Sequence, residues 1–283
     1  MKPTPPSPHN SPTDPHPSSS LRAEALRLLL IDSTQDKASQ VRALGATPWH
    51  LDVLEALPEP PNLPGRPQRP LLVQPSQLKA RAVGTLEGRA VLIHALTHIE
   101  ANAINLALDV LWRFAGMPAA FYQDWWQVAQ EEALHFELLQ AHLNGMGFAY
   151  GDFPAHDGLW DMAERTKGDV LARLALVPRT LEARGLDATP AVRNRLISVR
   201  DTAAASILDI ILRDEIGHVA IGNCWYRYLC EQQGLEPVAT YADLAKRYQA
   251  PVLKGPFNID ARRAAGFTEA ELAALAPAQT SHV

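Results

Sequence analysis

Four long stretches of this chain repeat apolar residues every three or four positions, the spacing of helices that bury one face. The first runs from about Leu86 to Ala115 and stops at Gly116, with Pro118 opening the next. The second runs from about Pro118 to Asn144 and ends in Gly145-Met146-Gly147. After a loop from Phe148 to Asp157, a third helix is predicted from about Leu159 to Arg184, bent at Pro178. Gly185 to Pro190 is then expected to break the chain, with a short helix over 191–199. Asp201 or Thr202 caps a fourth long helix that reaches about Gln233. A smaller helix is predicted near 238–249, followed by a loop over 254–258. Thr268 and Glu271 have capping-box spacing and open a last helix. No run alternates as a strand would, so the predicted fold class is all-α, with a four-helix bundle over 76–250.

The ends read differently. Residues 1–20 are Pro, Ser and His in quick succession and carry too little apolar surface to order themselves. Leu21, Ala25, Leu28 and Leu29 recur at helical spacing, which predicts one or two short helices before about Leu44. Eight prolines between 46 and 76 predict an extended wrap, so 21–75 is read as short helices plus wrap and 251–283 as a loop and short helix. Hydrophobic residues at 47% and charged residues at 20% are the balance of an ordinary soluble globular protein. No apolar leader or spanning run is evident, so the expected location is cytoplasmic, with no membrane partner. Cys224 and Cys230, six apart on one helix, face different ways and are expected to stay reduced. The formal net charge of −5 argues against general nucleic-acid binding. Residues 165–200 are locally basic, which is read as a solvated helix face or, more sharply, as a docking face for an anionic substrate.

Two Glu-x-x-His motifs carry the candidate chemistry: Glu132-Ala-Leu-His135 and Glu215-Ile-Gly-His218. A spacing of three puts both side chains on one helix face. Random placement of 15 Glu and 10 His would give roughly half a match, so two matches alone are a modest signal. Their partners raise it. Glu100 lies 32 residues before Glu132, and Glu182 lies 33 before Glu215. One Glu from each of two helices and Glu-x-x-His from each of two others is the ligand set of the di-iron and di-manganese carboxylate bundles. Glu100 and Glu132 lie roughly 24 and 21 Å from the turn that joins their helices, at matching depth. Glu182, three residues before Gly185, does not match the depth of Glu215 on these helix lengths.

Four carboxylates neutralise two divalent cations, which allows such a cluster to sit in a buried core. Paired metals about 3.5–4 Å apart can bind and reduce O2 jointly or polarise a bridging water. Glu131 and Asp214, one residue ahead of the ligand glutamates, are placed either to hydrogen-bond the ligand histidines or to form cross-helix salt bridges. His98 and His94 have metal-like spacing, but His98 points away from Glu100 and is expected to meet a neighbouring helix or the Pro-rich wrap. His142 is read as a group near the cluster or as a packed core residue. Arg179 is expected to pair with Glu182, the alternative being to steer an anionic substrate. His156-Asp157 reads as turn chemistry and helix capping, and Asp124-Trp125-Trp126 as packing.

Over roughly 75–270 the chain resembles the ferritin-like superfamily, and most closely an uncharacterised bacterial ferritin-like family of unknown function. The resemblance rests on His98-Ile-Glu-Ala-Asn-Ala-Ile104, Glu131-Glu-Ala-Leu-His-Phe-Glu137, Tyr150-Gly-Asp-Phe-Pro154, Leu176-Val-Pro-Arg-Thr-Leu-Glu-Ala-Arg-Gly185 and Arg213-Asp-Glu-Ile-Gly-His218. The tRNA hydroxylase that oxidises a prenylated adenosine is a related branch; only through it does RNA enter as a partner. The resemblance implies a ferritin-like bundle and an O2-using di-iron oxidoreductase acting on a small molecule or a modified nucleoside. It would need an external electron donor, because no flavin or nicotinamide fingerprint is present. Iron handling as a ferroxidase and a non-catalytic bundle are the alternatives, and the ligand set leaves manganese open beside iron.

Overall fold

The computed structural model describes residues 20–45, 49–79 and 81–275, so the expectation for the N-terminal tail falls outside the described residues. The fold is an all-α bundle; among the described residues the only β-type pairings are two isolated bridges, Ser20 with His50 and Leu72 with Ala155. Two short helices, α1 (Leu21–Leu29) and α2 (Thr34–Leu44), precede the long wrap. The bundle contains α3 (Leu86–Arg113), α4 (Ala119–Gly145), α8 (Thr202–Gln232) and a composite element. That element is α6 (Val170–Leu176), a π-helical turn (Val177–Glu182) and α7 (Ala183–Ser198) in succession, preceded by the short α5 (Gly158–Arg165). The chain closes with α9 (Pro237–Arg247), α10 (Ile259–Ala264) and α11 (Glu269–Leu275). Local chemistry sets the starts. Thr85 accepts the Gly88 N–H at α3, and Asp201 accepts the Ala204 N–H at α8. The Thr268–Glu271 capping box forms at α11, with Thr268 N donating to Glu271 and Glu271 N to Thr268.

Two apolar clusters fill the ends of the bundle. One gathers Ala90 and Ile93 with Leu139, Leu143, Leu196, Ala204 and Leu208. The other gathers Leu111 and Trp112 with Phe121, Trp125, Leu171, Leu174 and Tyr226. These memberships fix direction: α3 runs opposite to α4, and α8 opposite to the composite helix. α4 and the composite helix run parallel, so the connection from 146 to 169, which includes α5, travels the length of the bundle. Among the described residues α3 is the one helix long and apolar enough to cross a membrane, and most of its apolar stretch is packed inside the protein. It is the central core helix.

The third helix departs from expectation, and each departure has a cause. Residues 159–184 are not one bent helix: α5 ends at Arg165, and Asp169 caps α6 by accepting the Ala172 N–H. Pro178 lacks an N–H, and the helix takes an extra residue there, with Ala183 N donating to Pro178 O and the Thr180 hydroxyl to Ala175 O. Gly185 to Pro190 does not break the chain, and 191–199 is no separate helix; α7 runs straight through. The carbonyl that Pro190 leaves without a helical donor is that of Leu186, and the Asn258 side chain donates to it at 3.2 Å. A residue 72 positions away thus repairs the helix.

Gly222 of α8 faces that π-turn. A Cβ at Gly222 would lie 2.6 Å from Pro178 Cβ and 2.7 Å from its Cγ. Gly222→Ala is therefore expected to cost about 1–3 kcal/mol by forcing α8 and the turn apart. A denaturant midpoint within experimental error of the parent would show that the contact is not tight.

Among its described residues the wrap is extended, with a single 3₁₀ turn at Pro75–Gln77, and lies against the helices through backbone groups. Gly65 N donates to Leu29 O, Val73 N to Ala155 O, and Arg22 reaches the carbonyls of Glu55 and Trp112. His98 meets this side of the protein, as expected: Tyr150 donates its hydroxyl to Nδ1 at 2.8 Å, and Nε2 lies 3.1 Å from His156 O. His94 is fully buried, accepts the Gly151 N–H and stacks on Tyr150. Burial holds its pKa down to about 4 against an ordinary 6.5, with Asp152 opposing weakly. The unfolded chain takes up the proton first, so the advantage His94 gives the folded state is complete above about pH 6.5. It is lost as pH falls towards 4, about 3 kcal/mol in all. Ring NMR of the labelled protein is expected to give His94 a midpoint near 4; a midpoint above 6 would contradict its burial.

The basic stretch is not a solvated face throughout. Arg173 and Arg179 are buried, Arg173 paired with Asp109 and Arg179 with Glu271. The expected Arg179–Glu182 pair does not form; α11 supplies the carboxylate instead. Cys224 is exposed and Cys230 buried, and both are free thiols. Trp125 is core, Trp126 donates to Gly45 O, and Asp124 accepts from Trp225, which fits a packing role. Asp157 sits at the start of α5 but pairs with Arg66 rather than with the helix backbone, while His156 accepts the Gly158 N–H.

Candidate metal centre

Between the two apolar clusters lies a polar layer. Glu100 comes from α3, Glu132 and His135 from α4, and Glu215 and His218 from α8, all buried. One ligand atom from each of Glu100, Glu132, His135 and Glu215 lies within 4.8 Å of the others. Glu132 occupies the middle: its Oε2 is 3.3 Å from His135 Nδ1, and its Oε1 is 2.9 Å from His218 Nδ1. His135 Nδ1 is also 3.4 Å from Glu100 Oε2, and His218 Nδ1 is 3.8 Å from Glu215 Oε2. One helical turn from these groups, on the same faces, Ile104, Val128, Leu139 and Ile211 are buried and keep the layer dry.

The outer ring nitrogens are held by the other helix. His135 Nε2 of α4 meets Asp214 of α8 at 3.1 Å, and His218 Nε2 of α8 meets Glu131 of α4 at 2.7 Å. The acid one residue ahead of each central glutamate thus serves the histidine of the opposite motif. A proton kept on Nε2 by these carboxylates leaves the Nδ1 lone pair turned to the cluster. His142 is too far along α4 to take part; it pairs with Asp201 at the start of α8.

Without a cation the layer balances its charge with protons, whose positions bound metal ions would take over. Burial pushes Glu100 up to about 8, and the charge of Glu132 adds to it. Glu182 is likewise pushed up to about 8 by burial, then by Glu132 and more weakly by Glu100. Glu215 is driven well above the ordinary carboxylate range by burial and then by Glu132. Burial also opposes ionisation of Glu132, but the two imidazoles outweigh it and hold this carboxyl far below its usual value. For His135 and His218 burial works against a charge, yet the surrounding carboxylates raise both well above 6.5. Glu100 Oε2, Glu132 Oε1, Glu182 Oε2, Glu215 Oε2 and His218 Nδ1 are buried without a hydrogen bond. Glu132 Oε1 and His218 Nδ1 face each other as an ion pair at 2.9 Å, while Glu182 Oε2 and Glu215 Oε2 have no close partner; so many buried ligand-type atoms in one layer fit a cation set, because unpaired buried polar groups are otherwise costly.

Glu182, on the composite helix, feels the charges of Glu132, His218 and Glu100, but neither it nor His218 is among the four residues whose ligand atoms gather within 4.8 Å. Glu182 lies 16 residues before the end of α7, and Glu215 lies 13 after the start of α8. At about 1.5 Å per residue these are roughly 24 and 20 Å from their joint, so the mismatch in depth disappears once α7 is continuous. The family model for proteins of unknown function termed DUF455 matches residues 30–273. The chain belongs to the DUF455 family. A DUF455 relative from Haemophilus influenzae, itself uncharacterised, is 49% identical over 228 residues, spanning 78% of this chain and 79% of its own. No solved structure matches. The family carries no assigned activity, so the buried cluster is the best guide to function for this DUF455 protein.

Proposed function

We propose that this DUF455 protein is a ferritin-like di-metal carboxylate oxidoreductase. It would hold two iron ions through Glu100, Glu132, His135, Glu182, Glu215 and His218 and use O2 to oxidise or hydroxylate a small molecule or modified nucleoside. The observation that carries this reading is the set of buried carboxylate and imidazole atoms that converge within one layer. The single lengthwise crossover between α4 and the composite helix supports it, since ferritin-like bundles have one such connection. When bound, a pair of iron ions supplies electrons and open coordination positions for dioxygen; the ligand set would take manganese in the same way. Glu132 lies between the two Nδ1 atoms and, with the other five residues, would hold the metal pair. Glu131 and Asp214 orient the imidazoles and retain their Nε2 protons. The apolar side chains on either side exclude bulk water. An external electron donor would be required.

Anaerobic loading with Fe(II) is expected to give about two tightly bound ions per chain and a higher Tm. Admission of air should then consume O2 faster than free Fe(II) does. Less than one bound ion per chain with no change in Tm would overturn the reading. Iron loads far above two per chain, in large assemblies, would mark storage instead.

A further inference from the structure

A second enclosed space lies away from the carboxylate layer. Between the π-turn, α9 and the C-terminal helices is a cavity of about 190 Å³ whose wall includes Arg179, Val238, Tyr241, Leu253, Arg262 and Phe267. Two of these six are cations sealed from solvent: Arg179 is 3% exposed and Arg262 0%. Arg179 spends Nη2 on Glu271 at 2.6 Å, while its Nε and Nη1 are buried with no acceptor. Arg262 spends Nε and Nη2 on Asp187, and its Nη1 is buried with no acceptor. Both guanidiniums lie 5.3 Å from the centroid of the Phe267 ring, so they share one wall.

A buried charged N–H without an acceptor costs more than a made hydrogen bond returns. The rings of Tyr226, Tyr241, Phe257 and Phe267 lie against the two guanidiniums but present their faces rather than an oxygen acceptor, so three donors beside the cavity stay unmatched. Asp187 and Glu271 already accept from Arg262, Asn258, Arg179 and Thr268, and neither reaches the three free N–H groups. The rest of the wall is aliphatic and aromatic apart from Glu271, whose carboxylate is held by Arg179 and Thr268. An occupant that answers both features has an oxygen acceptor group with negative charge on a short apolar body.

We propose that this cavity is a binding site for a small monocarboxylate with an apolar chain, received by the free N–H groups of Arg179 and Arg262. The site is independent of the metal reading and stands or falls alone. Its test uses the full chain and three probes: hexanoate, the neutral isostere hexanamide, and acetate, which lacks the body. Hexanoate is expected to bind saturably, and at least about tenfold more tightly than either of the others, the margin of one charge-assisted hydrogen bond or of the lost apolar contacts. Leu253→Trp fills the cavity from a half-buried loop position and is expected to weaken hexanoate at least about tenfold without lowering Tm. Arg179→Lys, which keeps the charge beside Glu271 but removes two donors, should weaken it as well. No saturation by about 10 mM hexanoate, equal binding of hexanamide, or unchanged binding to Leu253→Trp each overturns the proposal.

Discussion

Glu132→Ala is expected to abolish stoichiometric metal binding and the stabilisation that metal brings. Glu132 is the carboxylate that touches both imidazoles, and it is the one acid in the layer held in its charged form. Its removal leaves His135 and His218 facing each other across the space it filled, with ring centroids 5.8 Å apart and no anion between them. A ligand present at a thousand times its dissociation constant stabilises by about 4 kcal/mol, so the variant should lose a metal-induced Tm shift of that size. Metal analysis and thermal unfolding, each with and without Fe(II), read the result. Asp214→Asn and Glu131→Gln keep all six ligands but weaken the hold on Nε2, and each is expected to lower metal affinity about 10- to 100-fold. Parent-like metal content in Glu132→Ala would remove the cluster from consideration as a metal centre.

Asp109→Ala is expected to be the most destabilising single change away from the cluster. Asp109 is 0% exposed and receives the Arg173 guanidinium on one side and Arg113 on the other, the latter at 2.8–2.9 Å. Arg173 is also fully buried, donating to Ala163 O at 2.6 Å and to the Thr166 hydroxyl at 2.9 Å. Burial pulls its pKa down and Asp109 opposes that. Deleting the carboxylate strands a cation in the core, which costs about 3–5 kcal/mol. Because a chain of this size loses about 2–4 °C per kcal/mol, Tm should fall by about 10 °C or more. Adding Arg173→Leu should recover part of the loss by removing the stranded charge. A fall of less than about 1 kcal/mol in urea would mean that water reaches Arg173 after all.

Much of the site was legible along the chain because its information is local. A spacing of three places Glu and His on one helix face whatever the tertiary fold, and the period of 32 and 33 residues matched two helix pairs of similar depth. The ends of α3, α4 and α8 fell within about two residues of where Gly116, Gly145 and Asp201 placed them. The third helix was misread because its continuity is not a local property. Gly185 and Pro190 are breakers in any window of sequence, and only Asn258, brought back by the C-terminal loop, supplies the donor that keeps α7 whole. Arg179 was misassigned for the same reason: a carboxylate three residues away is the obvious partner until α11 delivers a better one.

The all-helical bundle and the two Glu-x-x-His motifs with their acidic partners can be read from the chain alone, because periodicity and spacing act within one helix. Tertiary structure decided which histidine each outer acid serves, how deep Glu182 sits, and that two arginines of a basic stretch are sealed inside. Those depend on which helices meet and how closely. Burial then turns ordinary carboxylates into groups that hold protons up to about pH 8, a property that desolvation confers and no spacing can encode.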